Sequence, residues 1–263
     1  MSCYFCGNVA TGVEHVPPKC FFPRGKRDNL ITVPSCDAHN QEKSKEDEYI
    51  RAILLASIKL DGHEHIKILR DTNERAIERS LERAFEKELT EEQKKEILEI
   101  ITKYEEDPLS GPKVIDEVAS KGVVSMGLVG LLNKGTQEET VLDDSGTEVK
   151  TTSFIYDKDR FNNFFECVAR GIFFHELGKR WLGKVNLLPH TFLVDDAPQR
   201  DKDLSCYYLD NFDNSKSKGA QKDYFFYEGA NEINPESGKR KNIFFNFCIF
   251  NKFYFTAIFP FER

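Results

Sequence analysis

The spacing of four metal-binding side chains constrains this chain more than any other feature. Cys3-x-x-Cys6 lies at the N-terminus, and Cys36-x-x-His39 follows after 29 intervening residues. Two turns that each present a pair of ligands can surround one ion tetrahedrally, and thiolates with imidazole are the ligands of closed structural zinc sites. The pattern therefore predicts a structural zinc ion in a treble-clef arrangement. The alternative is that Cys3 and Cys6 are ordinary thiols near a frayed terminus.

Cysteine usage and hydropathy also indicate the compartment. The seven cysteines are an odd number, and four lie in the first 36 residues, which suits a metal site in a reducing compartment better than a disulfide framework. The N-terminus has neither a basic start nor an apolar segment of signal-peptide length. Apolar runs such as residues 243–250 are far shorter than the ~20 residues of a membrane-spanning helix. We expect a cytoplasmic protein with no membrane partner.

Hydrophobic spacing predicts helices after the cysteine-rich segment. A first helix is expected to begin near Asp37, and a second, amphipathic helix covers residues 76–89. Thr90, followed three residues later by Gln93, matches a capping box that starts a third helix. Residues 66–106 are therefore predicted to be mainly helical.

The C-terminal half mixes helix and strand patterns. A hairpin turn is predicted at residues 143–146, and a Phe-rich helix over residues 159–178 ends at a glycine suited to a C-cap. After Pro189 strand patterns dominate, with aromatic runs at residues 223–227 and 243–259. Residues 108–263 therefore predict an α+β body with antiparallel strands.

The charge balance limits nucleic-acid contacts to a local surface. The chain carries 37 Lys and Arg against 44 Asp and Glu, a net charge of −7. A protein that held nucleic acid over its whole surface would be expected to be basic. The loop between Glu14 and Asp28 is locally cationic, because it contains basic residues and no acid: Lys19, Arg24, Lys26 and Arg27. A solvated loop is the alternative interpretation.

A further set of polar residues lies between and just after the zinc ligands. It consists of Glu14-His15-Val16-Pro17-Pro18-Lys19, Asn29-Leu30, and Asn40 immediately after the last ligand. In this order and spacing, residues 1–50 resemble the HNH nucleases of the His-Me finger group, whose pattern is an acid-His dipeptide, an Asn-Leu, and a His or Asn after the final zinc-type ligand. Glu14 replaces the more common Asp, and Asn40 stands where many members have His.

The resemblance implies a metal-dependent endonuclease that hydrolyses DNA phosphodiester bonds, with RNA left open as a substrate. It implies that His15 is the general base and that Glu14 and Asn40 bind one Mg²⁺ or another divalent cation. It further implies that Asn29 orients His15. These roles suit the residue types, because a neutral imidazole accepts a proton near neutral pH and oxygen ligands suit a hard cation. Candidates for phosphate contacts are Lys19, Lys43 and Lys45.

Each of these residues has a structural alternative. His15 could be an exposed residue beside the Pro-Pro turn, Asn29 a turn residue, and Asn40 a helix cap. Lys43 and Lys45 alternate with acidic residues, and a solvated helix face explains them better than a phosphate contact does. At the level of function, the alternative is a non-catalytic treble-clef zinc module that binds nucleic acid or protein.

Together these predictions give an α+β fold with two regions. Residues 1–58 are expected to form a zinc-stabilised ββα finger of the His-Me type, and residues 59–263 a larger body without an assigned function. We expect a homo-oligomer, because one finger with few cations makes few phosphate contacts at physiological salt. The helices of residues 66–106 and the Phe-rich C-terminal strands would supply apolar surface for assembly. The alternative is a monomer whose aromatic residues all lie in its own core.

Overall fold

The computed structural model describes residues 1–57, 60, 62–83, 89–103, 136–142, 146–154, 157–193 and 197–261. The chain forms two compact units, one of which combines Met1–Asp47 with Asp159–Arg263 while the other comprises Glu48–Lys158. This division follows packing, and the expected functional boundary at residue 58 stays a prediction. In chain order the described helices and strands are β1 (Gly12–Val16), β2 (Ile31–Ser35), α1 (Ser44–Leu55), α2 (Glu64–Arg83), α3 (Glu91–Lys103), β3 (Thr136–Leu142), β4 (Glu148–Phe154), α4 (Lys158–Leu177), β5 (Asn186–Leu188), α5 (Gln199–Asp210), β6 (Phe225–Ile233), β7 (Arg240–Ile249) and β8 (Phe253–Pro260).

The predicted class, a mixture of helices with antiparallel sheets, is confirmed. Every pairing between the described strands is antiparallel: β1 with β2, β3 with β4, and the four-stranded order β5-β8-β7-β6. Among the described helices, none combines the length and the apolar character that crossing a membrane requires.

The β1–β2 hairpin lies between the two pairs of zinc ligands. Glu14 pairs with Val33, and His15 pairs with Thr32 on the neighbouring strand. Glu14 and Val33 are buried, whereas Thr32 is exposed and His15 is half-buried. This alternation is the one expected when successive side chains of a strand point to opposite faces. One face of the hairpin therefore packs against the protein, and the other faces outward.

The Phe-rich helix α4 packs against the C-terminal sheet. The rings of Phe165 and Phe255 stack with their centroids 3.9 Å apart, and those of Phe173 and Phe259 lie 4.7 Å apart. Gly178 ends the helix with a φ of 63°, and its N–H donates to Phe174 O at 2.8 Å, so the predicted C-cap is confirmed. The buried positions of α4 recur at helical spacing: Phe161, Phe164, Phe165, Val168, Ala169, Gly171, Ile172 and Phe173.

The N-terminal segment shares this hydrophobic core. Phe21, in the loop between β1 and β2, stacks on Phe164 of α4 at 5.2 Å and on Phe250 at 5.8 Å. Val16 of β1 lies so close to Gly171 of α4 that a Cβ on that glycine would be 2.5 Å from Val16 Cγ2. The zinc-ligand segment is thus packed onto the C-terminal sheet and its helix within one unit.

The second unit contains α2, α3 and the β3–β4 hairpin. The N–H of Thr90 donates to Gln93 Oε1 at 3.0 Å, and the N–H of Gln93 donates to Thr90 Oγ1 at 3.3 Å, which confirms the capping box. Val141 pairs with Val149, as the hairpin prediction requires. Most of the predicted turn, residues 143–145, lies outside the described residues.

Two element predictions are wrong. The helix expected near Asp37 begins at Ser44, because Asp37–His39 forms a separate 3₁₀ turn and Asn40 leaves it with φ −137° and ψ −83°. Helix α5 occupies a stretch that was predicted as strand. Its buried residues are Ser205 and Tyr208, so its sequence carries too little apolar periodicity to give a helical signal.

The aromatic residues of the C-terminal strands lie in the core of their own unit. Phe245, Phe247, Phe255 and Phe259 are all at most 4% exposed. These side chains therefore do not offer the apolar surface that we expected for assembly. The homo-oligomer stays a prediction without that support.

Candidate functional site

The structure brings the four predicted zinc ligands together. Their ligand atoms all lie within 4.8 Å of one another. Cys6 Sγ is 3.6 Å from Cys36 Sγ, and His39 Nδ1 is 3.3 Å from Cys36 Sγ and 3.9 Å from Cys3 Sγ. Tetrahedral Zn–S and Zn–N bonds of ordinary length place two sulfurs about 3.8 Å apart and a sulfur and a nitrogen about 3.6 Å apart. Three thiols and one imidazole are therefore arranged to bind a zinc ion.

Short backbone turns present each pair of ligands. The N–H of Gly7 donates to Cys3 O at 3.1 Å, and the N–H of His39 donates to Cys36 O at 3.0 Å. Gly7 has a φ of 83°, and the guanidinium of Arg180 lies where its Cβ would be. The positive φ favours glycine here, since other residues rarely adopt this conformation, and any Cβ would also require the Arg180 side chain to move.

The electrostatics of the site favour the metal-binding forms of Cys3 and His39, whereas burial and the neighbouring thiols of Cys6 and Cys3 raise the pKa of Cys36. Burial opposes ionisation of Cys3, but hydrogen bonds from the backbone of Cys6, Cys36 and Phe5 lower its pKa to about 7. Burial, followed by the charge of Lys43, lowers the pKa of His39, so its imidazole is neutral at pH 7. The thiols are all free rather than joined in a disulfide. A thiolate and a neutral imidazole are the species that bind metal.

The His39 ring is held by a three-layer stack. Phe5 stacks on it at a centroid distance of 4.4 Å, and the guanidinium of Arg170 lies 4.9 Å from the Phe5 ring centre. Arg170 is itself fixed, because it binds Glu166 at 2.6 Å and donates to the backbone oxygen of Trp181 at 2.8 Å. Helix α4 therefore positions a metal ligand through Phe5. Sequence analysis did not find this contact, because no local pattern connects Phe5 with Arg170.

Glu14, a predicted ligand of the divalent cation, lies in a buried ionic cluster. Its Oε1 is 2.6 Å from Lys43 Nζ, and Lys43 also binds Asp47 Oδ1 at 2.8 Å. Burial raises the pKa of Glu14 and, to about 6, that of Asp47, although Lys43 opposes both shifts. Burial disfavours the charge on Lys43, but Asp47 and Glu14 together raise its pKa. The solvated-face interpretation is therefore wrong for Lys43 and holds for Lys45, which is exposed.

Asn40 lies on the same face of β1 as Glu14. Its amide Nδ2 donates to Val13 O at 3.1 Å and lies 3.6 Å from where a Cβ of Gly12 would be. Because side chains alternate along a strand, Gly12 and Glu14 share a face. The Asn40 side chain thus binds the strand rather than capping α1, and its amide oxygen is left for another partner.

His15 projects from the opposite face of β1. Burial lowers its pKa, and the positive charges of Lys19 and Arg27 lower it further, so the imidazole is neutral at pH 7. Its cross-strand partner Thr32 lines a cleft of about 390 Å³ with residues from α4 and the C-terminal sheet, among them His175, Lys218 and Tyr227.

Asn29 lies in a turn, as the structural alternative for this residue predicts. Its φ of 56° is left-handed, a conformation that asparagine tolerates better than most residues. It also lines the cleft beside Thr32. The structure therefore accounts for Asn29 as a turn residue, and its role in orienting His15 stays a prediction.

Sequence analysis missed Asp47 as a part of the candidate site. The four-residue spacing of Lys43 and Asp47, at the start of a helix, was the available signal. That both carboxylates share one lysine depends on the packing of residues 43–47 against β1, which no local pattern specifies.

No protein-family model, curated protein or solved structure matches this chain. The likeness to HNH nucleases is therefore carried by the residues named above.

Proposed function

We propose that this protein is a metal-dependent endonuclease that hydrolyses DNA phosphodiester bonds at an N-terminal ββα finger of the HNH type. The observation that carries the proposal is the position of Asn40. It directly follows the last zinc ligand, and its amide binds Val13 O beside Glu14. An acid, a histidine and an asparagine thus lie on or against one short strand in the order of the HNH pattern, which supports the proposal.

The zinc ion has a structural role in this proposal. Residues 1–47 are too few to fold alone and share their core with α4 and the C-terminal sheet, so metal binding would add to the folding free energy that this packing supplies. Zinc would fix the 3₁₀ turn at Asp37–His39, and with it the backbone of Asn40, against the β1–β2 hairpin.

The residues present also fit a hard divalent cation. The Glu14 carboxylate and the Asn40 amide oxygen lie on one face of β1, and Mg²⁺ is ordinarily held by one or two protein oxygens together with water and substrate phosphate. When bound, such a cation would stabilise the negative charge that develops on the phosphate and the leaving oxygen.

The side chains of the hairpin supply the remaining functions. His15, neutral at pH 7, accepts the proton of the attacking water through its imidazole nitrogen. The positive charges of Lys19 and Arg27 near His15 attract the phosphate backbone. Because Glu14 and His15 leave β1 on opposite faces, the proposal requires the scissile phosphate to lie at an edge of this strand.

A plasmid-cleavage assay tests this function. Zinc-loaded wild type is expected to cleave DNA with Mg²⁺, Mn²⁺ or Ni²⁺, and H15A to be slower by about 100-fold or more, the usual contribution of a general base. H63A is the matched control, since His63 belongs to the second unit. Absence of cleavage with every cation, or an H15A variant as active as wild type, overturns the proposal. DNA binding without cleavage would instead support a non-catalytic zinc module, and cleavage of RNA alone would change the substrate.

A metal analysis tests the zinc site separately. Purified wild type is expected to hold about one equivalent of zinc, as one four-ligand structural site requires. C36S is expected to lose it, whereas C206S, which alters an exposed thiol, should retain it. Zinc content that is unchanged in C36S would contradict the site.

A further inference from the structure

A nearly buried lysine holds the carboxylate that we assign to the divalent cation. Lys43 Nζ lies 2.6 Å from Glu14 Oε1, and 2.8 and 3.0 Å from the two carboxylate oxygens of Asp47. The three side chains are only 8–12% exposed. These ion pairs are therefore shielded from water and from dissolved salt.

The charges of this cluster do not balance. Glu14 and Asp47 bring two negative charges, and Lys43 brings one positive charge. An excess negative charge that is shielded from water favours the binding of a further cation.

We propose that Lys43 is an internal counter-ion that competes with the divalent cation for the Glu14 carboxylate, with Asp47 as its second anchor. This inference rests on the proposed function, which assigns Glu14 to the cation. A hard cation binds a carboxylate oxygen at about 2.1 Å. An ammonium group at 2.6 Å from the same carboxylate repels it, so cation binding displaces Lys43 Nζ from Glu14. Asp47 then retains the displaced ammonium.

Removing the lysine charge tests the competition. Zinc-loaded K43M is expected to bind Mn²⁺ about tenfold more tightly than wild type, or better, because one repelling charge a few ångströms away is gone. The measurement is isothermal titration calorimetry with MnCl₂ and the full chain, without nucleic acid. K43R keeps the charge and is expected to show no gain. K45M is the matched control, since Lys45 is a lysine only two residues away but is exposed.

If Lys43 competes for the Glu14 carboxylate, the gain in Mn²⁺ affinity of K43M has to depend on Glu14. The double variant E14Q/K43M is expected to lose the tighter binding. K43Q is a second neutral variant whose amide can still donate to both carboxylates, and circular dichroism checks the fold of each protein. A neutral variant that folds only with Mn²⁺ also supports the competition. Equal or weaker Mn²⁺ binding by K43M and K43Q, or a gain that survives in E14Q/K43M, overturns it.

The result is separable from the nuclease assay. If wild type cleaves DNA and the neutral variants show no gain in Mn²⁺ affinity, the counter-ion role is wrong and the nuclease stands. If the gain is present and depends on Glu14 but nothing is cleaved, the counter-ion role stands and the nuclease is wrong.

Discussion

A single imidazole joins α5 to the C-terminal sheet. His190 Nδ1 lies 2.6 Å from Ser205 Oγ, and His190 Nε2 lies 2.6 Å from Thr256 Oγ1. Thr256 donates its proton to Asn246 Oδ1, also at 2.6 Å, so it must accept from Nε2–H. Burial lowers the pKa of His190 to about 4, so the ring is neutral at pH 7 and Nδ1 is then the acceptor of the Ser205 hydroxyl proton. This pattern of one donor and one acceptor nitrogen requires a neutral His190.

This requirement predicts a loss of stability in mild acid. Burial lowers the pKa of His190 to about 4, whereas an unfolded histidine titrates near ~6.5. Below that value the unfolded chain takes up a proton first, so stability is full above about pH 6.5 and is lost as the pH falls toward 4, by up to ~1.4 kcal/mol per pH unit. Urea unfolding between pH 7.5 and 4.5 measures this slope.

The control for this prediction is H190Q, which cannot titrate. It is expected to be less stable than wild type at pH 7 and to show a shallower loss in acid. Glu228, the titratable group at the far end of the network, contacts Asn246 and stays in both proteins. Parallel pH dependences of wild type and H190Q would contradict the role of His190.

The candidate site shows which residues a sequence can reveal. The zinc ligands and the Glu14-His15 pair lie in local patterns with fixed spacing, so they could be named from the sequence. The residues that position these side chains could not be named from the sequence. Asp47 reaches Glu14 only through Lys43, and Arg170 reaches His39 only through Phe5. These contacts exist only after distant segments pack together.

At the scale of elements, the contact between β1 and α4 reverses the usual effect of a Gly-to-Ala substitution on stability. A Gly-to-Ala change inside a helix normally stabilises by about 1 kcal/mol. At Gly171 the new Cβ would lie 2.5 Å from Val16 Cγ2, and such overpacking costs about 1–3 kcal/mol. G171A is therefore expected to destabilise the protein in chemical denaturation, and V16A/G171A to recover part of the loss. A G171A variant more stable than wild type would show that β1 moves away freely.

The stack of His39, Phe5 and Arg170 predicts a link between α4 and metal retention. R170M removes the cation over Phe5 and its bonds to Glu166 and Trp181. Residues that orient metal ligands usually change affinity by about 10- to 100-fold. We therefore expect R170M to release zinc to a chromogenic chelator about tenfold faster than wild type. R200M alters an exposed arginine of α5 and is expected to match wild type, and equal release by R170M would contradict the link.

Among the elements, strong periodicity was predicted well and weak periodicity was not. α4 and the β7–β8 strands carry continuous aromatic patterns, and the capping box at Thr90 is local chemistry. α5 buries Ser205 and Tyr208, a pair too small and too polar to mark a helix. The turn at Asp37–His39 replaced a helical turn because the backbone there presents His39 to the other ligands. Such a constraint lies outside hydrophobic spacing.

At the scale of the whole molecule, the proposed function requires an acidic chain to bind a polyanion. With a net charge of −7, the protein gains little non-specific affinity for nucleic acid outside its cationic loop. Pairing of two fingers in an oligomer would double the contacts without a basic body. We expect multi-angle light scattering at micromolar concentration to give at least twice the chain mass of 30.3 kDa. A mass of one chain, unchanged by DNA or metal, would contradict the oligomer.

The 3.6 Å between the Cys6 and Cys36 sulfurs also predicts that metal occupancy controls the oxidation of these two cysteines. A bound zinc ion would occupy the thiolate lone pairs and keep the two sulfurs from bonding to each other. In chelated protein the sulfurs need only close to ~2.05 Å, with an oxidant such as diamide accepting the two electrons and two protons. Mass spectrometry should then find a Cys6–Cys36 cross-link in the chelated protein and none in the zinc-loaded one. The availability of metal would therefore determine whether an oxidant leaves Cys6 and Cys36 as free thiols or joins them in a disulfide.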